Sequence, residues 1–298
     1  MIPAGVRAWA QEQLEGDIVS VTPVGGGLTD TIFALRLDHG DPTILRYSSA
    51  VRWGQLGRQH IICEALGCRL MRGSGLPVPR LIATDPYGLT PHGYVNLTTW
   101  LPGEVRLDPL GPDAISELAR VAVVIHAIEV DEDDRPRPYE FWTPVDLQVP
   151  SWTDRPELWR QAIKIFDEGP PATPQGLIHR DFHPGNILWQ GDMITGVIDW
   201  AETSWGPADL DVAHSCSNFA MLQDLASADS FRAAYLRHGG HLDSDPAAAR
   251  FWRISDILGF LPDPTPIITK LIATRPELSP EVVRARLEEL LAVTLGER

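Results

Sequence analysis

Three cysteines in 298 residues are too few for a disulfide framework, and Cys63, Cys68 and Cys216 show no zinc-ligand spacing. Cys63 and Cys68 lie five apart, which points them to different sides of a helix. All three read as free thiols in a reducing compartment. No run approaches the roughly 18 consecutive apolar residues that mark a membrane span. The opening MIPAGVRAWAQEQLEGD lacks the basic stretch and unbroken apolar core of a secretion signal. A cytoplasmic protein without a membrane partner is the expectation. Positive charge is also scarce, since 25 Lys and Arg against 40 Asp and Glu leave a net charge of −15. That disfavours nucleic acid as a partner, because phosphate backbones are met by basic faces. No internal repeat, low-complexity tract, nucleic-acid motif or G-K-[ST] phosphate loop occurs. What is present is a hydrophobic content of 44%, enough for a sizeable core in one large domain or two lobes. The acidic surface serves solubility and also attracts cationic small molecules.

The informative stretch is 177–200, LIHRDFHPGNILWQGDMITGVIDW. It holds His179-Arg180-Asp181, then Asn186 five residues after the aspartate, then Asp199 after a short apolar run. An H-R-D-x-x-x-x-N pattern followed by a metal-binding aspartate is a phosphoryl-transfer signature. That chemistry needs an aimed acceptor hydroxyl and charge neutralised on phosphate oxygens. Asp181 is the candidate that accepts or orients the hydroxyl proton. Asn186 and Asp199 offer oxygen ligands suited to Mg2+. Pro184-Gly185 supplies the bend between them. Residues 187–189 and 194–198 read as two short strands with a turn at 190–192. Singly, Asp and Asn near Pro-Gly are turn formers; the joint spacing carries the reading. His179 and His183 read as structural hydrogen-bonding groups, and His126 as a core or helix-end histidine.

Residues 177–213 resemble the aminoglycoside phosphotransferase and choline kinase-like family, which shares the protein kinase-like fold. His183-Pro184-Gly185-Asn186 resembles the family's catalytic-loop ending, and Ile198-Asp199-Trp200 its replacement for the Asp-Phe-Gly motif of protein kinases. Gly206-Pro207 followed by Asp211-Val212-Ala213 is similar to the segment whose aspartate braces the catalytic loop. The resemblance implies an α+β, bilobal protein kinase-like fold, with a small β-rich N-lobe over 1–97 and a larger, mainly helical C-lobe over 98–298. It implies ATP (or GTP) and Mg2+ as cofactors, and a small-molecule hydroxyl acceptor as partner. A phosphate-positioning pair is then expected upstream. Arg46 is the basic residue within strand-like 43–47, where protein kinases carry lysine, with Arg52 and Arg58 as rivals after the strand. Its partner would be Glu64, on a helix over about 56–71. The glycine-rich loop at 25–30 would cover nucleotide phosphates through backbone N–H groups, giving Gly26, Gly27 and Thr29 as contacts. Residues 97–103 would be the hinge whose backbone meets the adenine edge, with Thr98 and Trp100 as contacts. No long activation segment or A-P-E motif follows Asp199, so a protein acceptor is disfavoured.

Elsewhere the pattern predicts a leading helix over 4–15 and an N-terminal β-β-β-α-β-β order that includes strands at 81–84 and 94–99. An amphipathic helix over 112–128 is marked by Ile115, Leu118, Ala119, Ala122 and Ile125. Further helices are predicted over 208–221, 226–238, 247–260 and 280–295. Phe141, Trp142, Trp152 and Trp159 either belong to a substrate-binding insertion or fix a loop to the core. Glu202 and Asp256 are acceptor-pocket candidates, weighed against plain surface charge. The favoured acceptor is antibiotic-like or amine-bearing. The alternative is a metabolic kinase of choline, a homoserine-like compound or a sugar. A non-catalytic nucleotide-binding relative is disfavoured because Asp181, Asn186 and Asp199 are all present. Monomer and homodimer both stay open.

Overall fold

The computed structural model describes residues 2–25, 30–88, 93–269 and 275–296. By packing, the chain forms two compact units: residues 1–104 with 186–203, and 105–185 with 204–298. Residues 98–104 and 186–203 therefore pack with the strand-rich unit, beyond the 1–97 expected for the N-lobe.

In the first unit, α1 (Ala4–Glu12) precedes an antiparallel sheet of β1 (Ile18–Val24), β2 (Thr31–Leu37), β3 (Thr43–Ser49), β4 (Leu81–Asp85) and β5 (Gly93–Thr99). The strand order is β1-β2-β3-β5-β4. Successive side chains on a strand face opposite ways, and β3 and β5 use both faces. Leu45, Val95 and Leu97 enter an apolar core with Phe33, Leu35 and Val6 and Ala10 of α1. Their neighbours Arg46 and Asn96, paired across the ladder, turn to the other face. There α2 (Ala50–Leu70) lies against β3, β4 and β5. It starts at an N-cap, Ser49 Oγ accepting Arg52 N–H, and is interrupted at Gly54 (φ 51°, ψ −127°). A hairpin of strands Ile187–Gln190 and Met193–Val197 completes the unit. It is followed by a 3-10 turn at Trp200–Glu202 that packs on α2. Gly67 makes that packing possible: a Cβ there would sit 2.9 Å from Trp200 Cβ and 2.5 Å from Thr203 Oγ1.

The second unit is mainly helical, with α3 (Pro112–His126), α4 (Pro156–Asp167), α5 (Ala208–Leu222), α6 (Leu225–Arg237), α7 (Pro246–Leu258) and α8 (Pro280–Leu295). α4 has no counterpart among the helices predicted from the sequence. α5 is buried from Asp209 to Met221 on every side and packs against α6, α7 and α8. A helix enclosed in this way must satisfy its polar side chains internally, and Asp211, His214 and Ser215 do so against residues 179–182. Leu158, Trp159, Ile254, Leu258, Leu287 and Leu291 form the main apolar core. A short antiparallel pair, Gly176–Ile178 with Ser204–Gly206, delivers the chain to residue 179. Among the described residues no helix is long and apolar enough to cross a membrane.

Candidate active site

In the first unit, Arg46 is the centre of a buried ionic cluster. Its Nε donates to Glu64 Oε1 at 2.9 Å, Nη1 to Asp30 Oδ2 at 3.2 Å and Nη2 to Asp199 Oδ1 at 2.6 Å. Asn96 Nδ2 donates to the other Glu64 oxygen and to Ile61 O, both at 2.8 Å, so the cross-strand neighbour of Arg46 fixes its partner. A buried arginine keeps its charge only where carboxylates surround it; burial opposes ionisation here, but Asp199, Glu64 and Asp30 together hold its pKa well above the usual value. His60, one turn before Glu64 on α2, bridges Asp30 Oδ2 (3.2 Å) and Glu202 Oε1 (3.1 Å). Burial works against its charge too, yet the hydrogen bonds to Asp30 and Glu202 raise its pKa to about 9. The Asp30 carboxyl stays below its ordinary range, because His60 and Arg46 outweigh its burial. Asp199 has a left-handed backbone (φ 63°, ψ 60°), and Ile198 N–H donates to Asn186 O at 3.0 Å. That bond ties the Asn186 and Asp199 segments together. Both side chains carry hard oxygen donors, so this pair fits Mg2+.

In the second unit, Asp211 accepts the backbone N–H of His179 (2.8 Å) and of Arg180 (2.7 Å). His126 Nε2 reaches the same carboxylate at 3.1 Å, with Tyr235 OH on its other ring nitrogen. Arg180 adopts φ 71°, uncommon for a non-glycine residue, and its side chain is buried. Its guanidinium lies 3.6 Å over the Trp142 ring and 3.4 Å from Asp256. Asp181 comes next, its side chain 28% exposed. Its Oδ1 is 3.1 Å from His214 Nε2 and 3.7 Å from His183 Nε2. His214 Nδ1 meets Asp256 Oδ1 at 3.0 Å. Asp181 is held far below the ordinary carboxylate range, since His183, His214 and His179 overcome the effect of burial. Asp181, His183 and His214 each offer one atom within 4.8 Å of the others, yet the trio is a hydrogen-bonded cluster rather than a metal centre. Gly185 N–H donates to His183 Nδ1, which leaves the ring proton on Nε2, and carboxylates take both nitrogens of His214.

Arg46, Glu64 and Asp199 meet in one cluster, and Asn186 lies in the same unit. Glu202 and Asp256, expected to line an acceptor pocket, are instead engaged with His60 and His214, and Asp256 is only 2% exposed. Thr98 is buried in the ladder opposite Ile44 and Leu81. The N–H groups of Thr99 and Trp100 are taken by Arg80 O and Pro42 O, so the chain leaves the sheet at Leu101 and any free hinge backbone starts there. Gly26, Gly27 and Thr29 lie outside the described residues. Phe141 stacks on Trp252 at 6.0 Å and Trp152 packs edge-on to Trp159, so these aromatics fasten their loop to the helices. His60 and His214 were not singled out from sequence, and Asp30 and Arg180 were read only as members of the 25–30 loop and the H-R-D motif, without side-chain roles. The one available signal was spacing: His214 follows Asp211 by three residues and so shares its helix face.

Residues 20–252 match the model of a family described as the phosphotransferase enzyme family. A homoserine kinase from Gluconobacter oxydans is 25% identical over 246 residues, covering 74% of this chain and 73% of its own. A spectinomycin phosphotransferase, solved with ADP and spectinomycin, shares the fold with TM-score 0.67 and 14% identity over 99% of both chains. An amicoumacin kinase, solved with AMP-PNP and Ca2+, does so with TM-score 0.63 and 13% identity, over 96% of this chain and 92% of its own. These folds are α+β, bilobal and protein kinase-like, and so is this one. With a family match across most of its length, the chain belongs to the phosphotransferase enzyme family.

Proposed function

We propose that this phosphotransferase moves the γ-phosphoryl group of ATP (or GTP) onto a hydroxyl of a small antibiotic-like or amine-bearing molecule. The observation that carries the reading is the fork of Arg46. One guanidinium joins Glu64 on α2 to Asp199, which follows Arg46 by 153 positions in sequence; this supports reading Arg46 as the phosphate-gripping cation beside a metal-ligating carboxylate. Glu64 and Asp30 hold Arg46 so that its remaining N–H capacity meets nucleotide phosphates. Asn186 and Asp199 would hold Mg2+, which when bound neutralises charge on phosphate oxygens. Asp181 aims the acceptor hydroxyl and takes its proton. Nucleotide and divalent-ion use agrees with the ADP and AMP-PNP complexes of the two structural neighbours.

A metabolic acceptor such as a homoserine-like amino alcohol is the second reading. It is favoured by the Gluconobacter relative and by the pairing of Glu202 and Asp256 with histidines, which leaves neither as an uncompensated carboxylate for a polycation. The test is an ADP-release screen with Mg·ATP and Mg·GTP across aminoglycosides, macrolides, peptide antibiotics, sugars, choline and amino alcohols. Phosphorylated product would be identified by mass and Asp181→Ala would serve as control. Nucleotide binding without product from any acceptor class would point to a non-catalytic relative.

A further inference from the structure

We propose that His214 is a positioning residue for phosphoryl transfer, an imidazolium shared between Asp181 and Asp256 that keeps the catalytic-loop carboxylate ionised and aimed. This rests on the phosphotransferase reading of Asp181. The geometry carries it. Each ring nitrogen of His214 faces a carboxylate, Nε2 toward Asp181 at 3.1 Å and Nδ1 toward Asp256 at 3.0 Å. Two carboxylates on one imidazole are both satisfied only when the ring carries both protons. His214 and Asp256 are 4% and 2% exposed, so water is no substitute partner. Phe260 lies parallel to the imidazole at 5.9 Å and Trp142 packs edge-on at 5.5 Å, so the ring is clamped in plane.

Asp256 is fixed in turn by Arg180 at 3.4 Å, and Arg180 is the loop residue immediately before Asp181. The catalytic loop is thus anchored twice to one carboxylate on α7, directly through residue 180 and through His214 from residue 181. The charged and titratable groups facing this arrangement are Asp181, His183, His179 and Arg180 from the loop, Tyr139 beside Arg180, Asp211 from α5 and Asp256 from α7. Asn218, one turn along α5, lies 3.2 Å from Nε2. Asp181 and Asp256 face the cations His214 and Arg180, and Asp181 is the member that reaches solvent. A carboxylate held by a cation is a weak base. It orients the acceptor hydroxyl first and receives the proton late, as the new O–P bond forms and the bond to the nucleoside diphosphate breaks; the proton then passes to solvent.

The test uses the full chain and no identified acceptor. Carbon NMR of the Asp181 carboxyl and nitrogen NMR of the His214 ring are followed over about pH 4 to about pH 10. His214 should lose its proton near pH 9. Asp256→Asn keeps the ring neighbour but removes its charge, and should lower that midpoint by about one unit or more. His214→Gln keeps an amide donor without charge, and should carry the Asp181 midpoint to about 4 or above. Turnover is read with Mg·ATP and water as acceptor. His214→Gln should cut kcat with little change in KM for ATP and move the acid limb of the profile upward. A purely structural histidine would change the amount of folded protein and leave the pH profile in place. His214 titrating near about 6.5, or an Asp181 midpoint unmoved by His214→Gln, overturns the proposal. Intact Asp181–His214 coupling in a wild-type chain with no phosphotransfer to water or any screened acceptor overturns the role in the reaction, and the phosphotransfer reading with it. Turnover without the coupling overturns the positioning role alone.

Discussion

Arg46 illustrates how much one side chain can be asked to do. The chain contains two lysines, Lys164 and Lys270, and the proposed phosphate-gripping cation is an arginine. A lysine is a compact point charge and lacks the spread, planar set of donors with which Arg46 meets three carboxylates. Arg46→Ala would leave Asp30, Glu64 and Asp199 crowded without their cation. Removing one partner of a buried ion pair costs about 3–5 kcal/mol, so urea denaturation should show a loss of that order. Asp181→Asn should lower turnover about 10²- to 10⁴-fold while titration calorimetry finds Mg·nucleotide affinity nearly unchanged. Asp199→Ala, by contrast, should weaken Mg-dependent nucleotide binding as well. Asp181, Asn186 and Asp199 were legible as candidates in the sequence because they lie within one short stretch at fixed spacing. Asp30, His60 and His214 were not. Each is a lone polar residue whose partners come from other elements, and nothing local distinguishes Asp30 after its glycines from an ordinary turn acid.

At the scale of elements, the sequence pattern located the five strands of the main sheet, α1, α3 and α5 to α8 to within a few residues, whereas α2 begins at Ala50, six residues before the expected 56 and ahead of its interruption at Gly54. α4 was hidden by its surroundings: it follows a proline- and tryptophan-rich stretch and opens on Pro156, which reads as loop until the amphipathic run behind it is counted. The pair Gly176–Ile178 and Ser204–Gly206 is three residues a side, too short to show a period. The α2 helix also explains why a small residue stands mid-helix, where glycine is normally a cost. Gly67→Ala would drive a methyl into Trp200 and Thr203. Overpacking of this kind costs about 1–3 kcal/mol. Thermal denaturation should show the loss, despite the better helix propensity of alanine.

For the whole molecule, the buried histidines predict how stability responds to pH. His60 and His214 both have folded pKa values raised to about 9, against about 6.5 for an unfolded histidine. Between these limits the folded chain binds more protons than the unfolded one, so stability falls as pH rises from about 6.5 to about 9. Asp30, Asp181 and Asp256 have folded values below the ordinary 3.8, so their contribution is present above about 4 and is lost as the pH drops further. Denaturant midpoints should therefore peak between about pH 5 and about pH 6.5. A midpoint that kept climbing to pH 9 would show the imidazoles to be neutral.

The strand-rich unit is discontinuous, since residues 186–203 complete it. During synthesis the ribosome must release the whole of 105–185 before the hairpin and Trp200 can reach α2. Until then the nascent N-terminal segment has a sheet and a helix but lacks Asn186 and Asp199, and its Gly67 groove is bare. Domains that need a late segment stay open to wrong partners for longer. A chain stalled near residue 110 should therefore be a client of holding chaperones, and the carboxylate that Arg46 waits for is among the last parts of its own unit to arrive.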